Sequence, residues 1–205
     1  MEDYYLFKWC FAAVFVLLVI IRTYSRIRFD RRGPFSLHHL EDGLSLLIVR
    51  WILAVPLIFS MIGYVFLMDH FSWMYITLPR FIRGIGVSLG FGSICFLGIV
   101  HYYLGINFNS ASSVKDNHAL VTRGPYALVR HPMYLTFILL FIASFMITEN
   151  WLMGLSGILI ILSLMTLRLR YEEAKLIEEF GDQYRSYMEI TGRFVPKLRR
   201  RRTTS

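Results

Sequence analysis

Two clusters of polar residues hold the chemistry this chain could perform. The first is Arg130-His131-Pro132-Met133-Tyr134, with Gly124-Pro125-Tyr126 just ahead of it. It sets a guanidinium, an imidazole and two phenols around two prolines, directly before an apolar run. Polar groups packed at the mouth of a membrane span need water, one another or a ligand as partners. The second cluster, Arg168, Arg170, Glu172 and Glu173, follows the last apolar run. Arg168 and Glu172 are four apart and share a face of a helix. Carboxylates there would attract a cationic ligand, a sulfonium for example, and the arginine fork suits an anionic group. A plainer reading is equally open at this point. Arg168 and Glu172 would form an intrahelical ion pair, and His131 and Tyr126 would anchor the chain at the interface.

The elements that position these clusters are apolar. Of 205 residues, 56% are hydrophobic, and the mean hydropathy is +0.51. That composition excludes a soluble domain and predicts one all-α integral membrane unit. Five apolar segments read as spans: Tyr4–Ile21, Leu44–Met68, Phe81–Tyr103, Tyr134–Ile147 and Trp151–Leu167. The first reads as a retained span, having no basic n-region and no cleavage site. The second carries Pro56, a source of a kink. The last two, at 1.5 Å per residue, cover roughly 21 and 25 Å against a hydrocarbon core of about 30 Å. With only Thr148-Glu149-Asn150 between them, they predict a short antiparallel hairpin whose polar ends dip below the lipid surface and bring both clusters together. From Glu172 to Met188 the apolar residues recur at helical spacing, so one or two amphipathic helices, broken near Gly181, lie over the end of the bundle. Pro132 belongs in the first turn of the fourth span, and the backbone from about His118 to Arg130 is expected to be extended.

Basic residues orient the chain. Arg22, Arg26, Arg28, Arg31 and Arg32 lie between the first two spans, Lys115, Arg123 and Arg130 between the third and fourth, and ten more from Arg168 onward. The other side has Arg80 and Arg83. The N-terminus is therefore expected outside and the C-terminus in the cytoplasm. The tail Arg199-Arg200-Arg201-Arg202 suits anionic lipid. The net charge of +8 accompanies no nucleic-acid-binding motif. Cys10 and Cys95 lie in apolar runs, and the six histidines show no ligand spacing, so no metal is expected. Gly84-Ile85-Gly86-Val87-Ser88-Leu89-Gly90 lies inside a span and has the wrong spacing for a dinucleotide loop. Gly86-x3-Gly90 reads as a helix-packing face, within the chain or across a dimer.

The chain resembles the isoprenylcysteine carboxyl methyltransferase family, integral-membrane enzymes related to the phospholipid N-methyltransferases. The matching pieces are His118-Ala119-Leu120-Val121, Gly124-Pro125-Tyr126, Arg130-His131-Pro132-Met133-Tyr134, Arg168-x3-Glu172-Glu173, Phe180-Gly181-Asp182-Gln183-Tyr184, Tyr187 and Thr191-Gly192-Arg193-Phe194-Val195-Pro196. They run from about Leu104 to Leu198, so residues 1–103 would supply three spans, 104–198 the cofactor and catalytic segment of the same single domain, and 199–205 a basic tail. The resemblance implies S-adenosylmethionine bound without a Rossmann unit, in a cytoplasmic-side pocket made by the segment before the Arg-His-Pro-x-Tyr piece, the hairpin and the C-terminal helices. His118, Leu120, Val121, Gly124, Tyr126, His131 and Tyr134 would surround it, with Glu172 or Glu173 at its charged part. Arg168 would orient the carboxylate of an isoprenylcysteine-like acceptor, whose lipid tail enters from the bilayer. Phospholipid N-methyltransferase and small-thiol S-methyltransferase are the neighbouring alternatives. An NADPH-dependent membrane reductase or a non-catalytic membrane subunit would be the more distant ones.

Overall fold

The computed structural model describes residues 2–29, 43–66, 71–105 and 120–197. His118 and the basic tail therefore lie outside the described residues. Among the described residues, eight α-helices follow in order: α1 Glu2–Phe29, α2 Gly43–Phe66, α3 Arg80–Leu104, α4 Pro125–Leu128, α5 Pro132–Thr148, α6 Trp151–Leu167, α7 Leu169–Phe180 and α8 Asp182–Ile190. A 3-10 turn at Ser72–Met74 precedes α3. Among the described residues there is no strand, and the isolated bridges are Tyr75 with Asn150 and Val129 with Gly192.

The all-helical membrane architecture expected from composition is what forms. Asp3–Ser25 and Arg80–Leu104 are each long and apolar enough to cross a membrane, and a third crossing results if α6 and α7, bent by 42°, count as one span. Trp51–Phe66 and Pro132–Thr148 are shorter apolar helices. The hairpin of α5 and α6 is as short as its sequence dictates, 17 residues each. It turns at Glu149, which takes the left-handed conformation (φ 62°) at the end of α5. Asn150 then caps α6, its side chain accepting from the Met153 N–H at 3.0 Å.

Small residues let the helices approach. A Cβ on Gly86 would fall 2.6 Å from that of Met146 on α5, and one on Gly90 would fall 3.2 Å from Val14 on α1. The Gly86-x3-Gly90 face is thus used within the chain, seating α3 against both neighbours. At the end of the bundle away from the sequence motif, Arg83 of α3 is buried. Its Nε and Nη2 donate to the Ile147 carbonyl at 3.1 and 2.9 Å, its Nη1 pairs with Glu149 at 3.1 Å, and its guanidinium lies 4.0 Å from the Phe7 ring centroid. Glu149 also accepts from the Leu78 N–H at 2.7 Å. One arginine therefore ties α1, α3 and the hairpin turn.

One local expectation is corrected. The segment before the Arg-His-Pro-x-Tyr piece is not extended throughout: Pro125–Leu128 form a helical turn. Pro125 at the first helical position presets φ for that turn, and Gly124 enters it at φ +60° with the Tyr103 ring where a Cβ would stand. Val129 regains extended geometry, bridging Gly192. The amphipathic stretch forms α7 and α8, broken at Gly181 (φ 53°) as the glycine predicts.

Candidate active site

The first turns of α5 and α7 face each other. Pro132 starts α5 with His131 as its N-cap, which places Tyr134 on the turn that meets α7. The Tyr134 hydroxyl reaches the two Glu172 oxygens at 3.2 and 3.3 Å. Arg168, where α6 bends into α7, pairs through Nε with Glu172 at 3.0 Å. The His131 and Tyr134 rings lie 6.0 Å apart between centroids. Arg168 and Glu172 are partly exposed, at 34% and 20% of their side chains, so this array faces outward while remaining held.

Beneath it lies an ionic hub centred on the buried Glu173. Glu173 Oε1 accepts from Arg130 Nε at 3.1 Å, Arg130 Nη2 at 2.9 Å and Arg193 Nε at 3.2 Å, with His131 Nε2 at 3.4 Å. Its Oε2 accepts from Arg193 Nη2. Arg130 also donates to the Thr191 and Met188 carbonyls. The backbone repeats the connection: Arg130 N–H donates to Gly192 O at 2.8 Å and His131 N–H to Arg193 O at 3.1 Å. Glu173 and Arg130 are only 3% and 8% exposed. Burial pushes the Glu173 carboxyl up, but hydrogen bonds from His131, Arg193 and Arg130, with the Arg130 charge, more than offset it and hold the pKa at about 2. The carboxylate is thus ionised at neutral pH, and it holds the His131 ring through Nε2.

The structure brings together His131, Tyr134, Arg168, Glu172 and Glu173. Tyr126 lies outside that group: its carbonyl accepts from the buried Tyr187 hydroxyl at 2.5 Å, and burial, then the neighbouring Tyr187, raises its own phenol pKa. Leu120 and Val121 are half-buried ahead of Gly124, which sits against α3 at Tyr103. Arg130 and Arg193 stand in the sequence motifs with no local sign of a role, because their pairing with Glu173 spans 43 and 20 residues and needs the fold. Among the described residues, no group of three or more His, Cys, Asp or Glu side chains could hold a metal ion.

Residues 87–178 match the Isoprenylcysteine carboxyl methyltransferase (ICMT) family. The chain is 35% identical over 88 residues to the protein-S-isoprenylcysteine O-methyltransferase of Schizosaccharomyces pombe, covering 43% of this chain and 37% of that one. It is 27% identical over 136 residues to the Rattus norvegicus protein of that name, covering 65% and 48%. It is also 38% identical over 76 residues to the methanethiol S-methyltransferase of Pseudomonas deceptionensis, covering 37% and 28%. The chain thus spans less than half the length of each of these relatives. The matched segment contains the Arg130–Tyr134 piece, both hairpin helices and most of α7, so it is over the hairpin and its flanking polar clusters that the chain is similar to the isoprenylcysteine carboxyl methyltransferase family.

Proposed function

We propose that this protein transfers a methyl group from S-adenosylmethionine to the carboxylate of a lipidic, isoprenylcysteine-like acceptor. The observation that carries the reading is the convergence of Tyr134, Glu172 and Arg168 over the Glu173 hub. The donor set fits the cofactor: a partly exposed carboxylate beside two aromatic rings suits a sulfonium cation. Glu172 would face that charge, with His131 and Tyr134 against the rest of the molecule and His118, Leu120, Val121 and Gly124 completing the enclosure. Tyr126 would shape that enclosure from behind. Glu173, occupied by two arginines and a histidine, would hold the pocket's shape and contribute negative potential. Arg168 would turn from Glu172 to orient the acceptor carboxylate.

Bound S-adenosylmethionine supplies an electrophilic methyl on a good leaving group. An acceptor carboxylate oxygen forms the new bond to that methyl as the carbon–sulfur pair returns to sulfur, leaving a neutral ester and a neutral thioether. The acceptor is ionised at neutral pH, so these residues need supply no base, only proximity, alignment and exclusion of water. Residues 1–205 would act as one domain with five crossings, N-terminus outside, and the site on the cytoplasmic face among its basic residues. The test is calorimetric titration with S-adenosylmethionine and S-adenosylhomocysteine, then turnover of an S-farnesyl cysteine acceptor. Wild-type binding and turnover in both Glu172→Gln and Arg168→Met would overturn the assignment.

The match to a methanethiol S-methyltransferase favours a second reading, methylation of a small thiol. A thiol reacts as its thiolate, so its turnover would climb between about pH 6 and 8, whereas turnover of a carboxylate would stay nearly flat.

A further inference from the structure

The segment that follows α8 carries apolar side chains outward. Residues 191–197 run back past the end of α4. Val129 bridges Gly192, the Arg130 N–H donates to the Gly192 carbonyl at 2.8 Å, and the His131 N–H donates to the Arg193 carbonyl at 3.1 Å. Around that bridge stand Leu128, Ile190 and Val195, which are 59%, 74% and 74% exposed. The inward positions nearby are already taken, by Tyr184 and Tyr187 on α8 and by Phe194, whose ring lies 6.2 Å from that of His131. Three large aliphatic side chains grouped in water mark a contact surface.

The same surface is basic. Arg123 and Lys197 are exposed beside it, and the Arg193 side chain is 47% exposed. Lys197 folds back over the end of α8, donating to the Met188 and Glu189 carbonyls at 2.8 and 3.0 Å, which keeps its charge next to Ile190. The sequence goes on as Leu198-Arg199-Arg200-Arg201-Arg202, and from Met188 to Arg202 it holds one acid, Glu189. The height of the surface identifies its partner. Gly124, which opens α4, lies against the ring of Tyr103, one residue before α3 ends at Leu104. That helix is long and apolar enough to cross a membrane. The patch thus stands at the level where a span leaves the hydrocarbon. Apolar side chains set among cations at that depth match an anionic leaflet.

We propose that Leu128, Ile190 and Val195 insert into the anionic leaflet on the site's side of the membrane, and that this docking clamps residues 191–197 onto Arg130 and His131. Lipid charge is thereby linked to the order of the site, because Gly192 of the clamped segment holds Arg130 and Arg193 holds Glu173. A leaflet that binds the clamped arrangement better than the open one shifts the segment toward it.

The experiment uses the full chain in nanodiscs of phosphatidylcholine alone or of phosphatidylcholine mixed with phosphatidylserine. An environment-sensitive fluorophore on Val195→Cys reads insertion, with Cys10→Ala and Cys95→Ala removing the native thiols. With phosphatidylserine present its emission should move to the blue and be quenched by brominated acyl chains, and both effects should shrink without it. Hydrogen exchange at the Arg130 and His131 amides reads the clamp. It should slow about fivefold when phosphatidylserine is added, the factor given by one cation's attraction to an anionic surface. Combining Leu128→Ser, Ile190→Ser and Val195→Ser, all at exposed positions, should abolish that slowing. A label that stays in water in both membranes, or inserts equally into both, overturns the anionic docking. Equal exchange in both membranes, or undiminished slowing in the serine variant, overturns the clamp. Neither readout needs the methyl donor, so the outcome is separate from that of the methyl-transfer reading.

Discussion

Replacing Arg130 with methionine should unfold this protein far more readily than the same replacement at Arg168, although both arginines touch a glutamate of α7. Arg130 is 8% exposed and Glu173 3%, and their contact is 2.9 Å. Removing one member of a buried pair costs about 3–5 kcal/mol, because the remaining charge is stranded. Arg193 and His131 still face Glu173 in the variant, which argues for the lower end, near 3 kcal/mol. The Thr191 carbonyl also loses its donor, adding about 1 kcal/mol, whereas the Met188 carbonyl keeps the Lys197 ammonium at 2.8 Å. Arg168 presents a 34% exposed side chain to Glu172 four residues on, a pair worth only about 0.5 kcal/mol. For a chain of this size, about 1 kcal/mol moves Tm by roughly 2–4 °C, so Arg130→Met should melt roughly 10 °C below the wild type and Arg168→Met within about 2 °C of it. Helical circular dichroism in detergent reads both, and methyl transfer to the S-farnesyl acceptor reads the other half. Arg168→Met should stay folded and lose turnover. Equal melting of the two variants, or a wild-type Tm for Arg130→Met, would show that the Glu173 hub does not hold the site together.

Acid should expose the same hub. The Glu173 pKa is held at about 2 against an ordinary 4.5, so its stabilisation is fully present above about pH 4.5 and drains away as pH falls toward 2. It amounts to at most about 3 kcal/mol. The stability gap between wild type and Glu173→Gln, measured by denaturant titration, should therefore narrow steadily over that window; a constant gap would contradict the assignment. Gly192 is the other sensitive point. A Cβ there would collide with the Val195 carbonyl, so Gly192→Ala should displace the segment that pairs with Arg130 and His131 and cost about 1–3 kcal/mol. An unchanged melt and unchanged cofactor affinity would argue against that segment's supporting role.

The parts of this fold legible in the sequence are those governed by local rules. Both hairpin helices fall within two residues of their apolar limits, because Pro132 and Asn150 mark the starts and the apolar runs are unbroken. Gly181 separates α7 from α8 for the same reason. The segment before Arg130 was misjudged because two competing local signals meet there. Proline biases the residue before it toward extended backbone but favours a helical turn after it, and the second effect won at Pro125–Leu128. The spacing of Arg168 and Glu172 revealed their pairing. The choice between Glu172 and Glu173 was not legible, since adjacent helical residues point about 100° apart and only the tertiary packing decides which one is buried.

The ion clusters at the two ends of α5 follow from one geometric fact. Its 17 residues span about 25 Å, less than the hydrocarbon thickness of about 30 Å. Neither end of such a helix can rely on bulk water to satisfy its last carbonyls and first polar side chains. At one end Arg83 supplies donors to the Ile147 carbonyl and a partner to Glu149; at the other, Arg130, His131, Arg193 and Glu173 satisfy one another. Each arginine thereby replaces solvent that the short hairpin excludes. That exclusion also favours the proposed chemistry, because an acceptor carboxylate drawn to Arg168 at the edge of such a site would shed water before it meets the donor methyl.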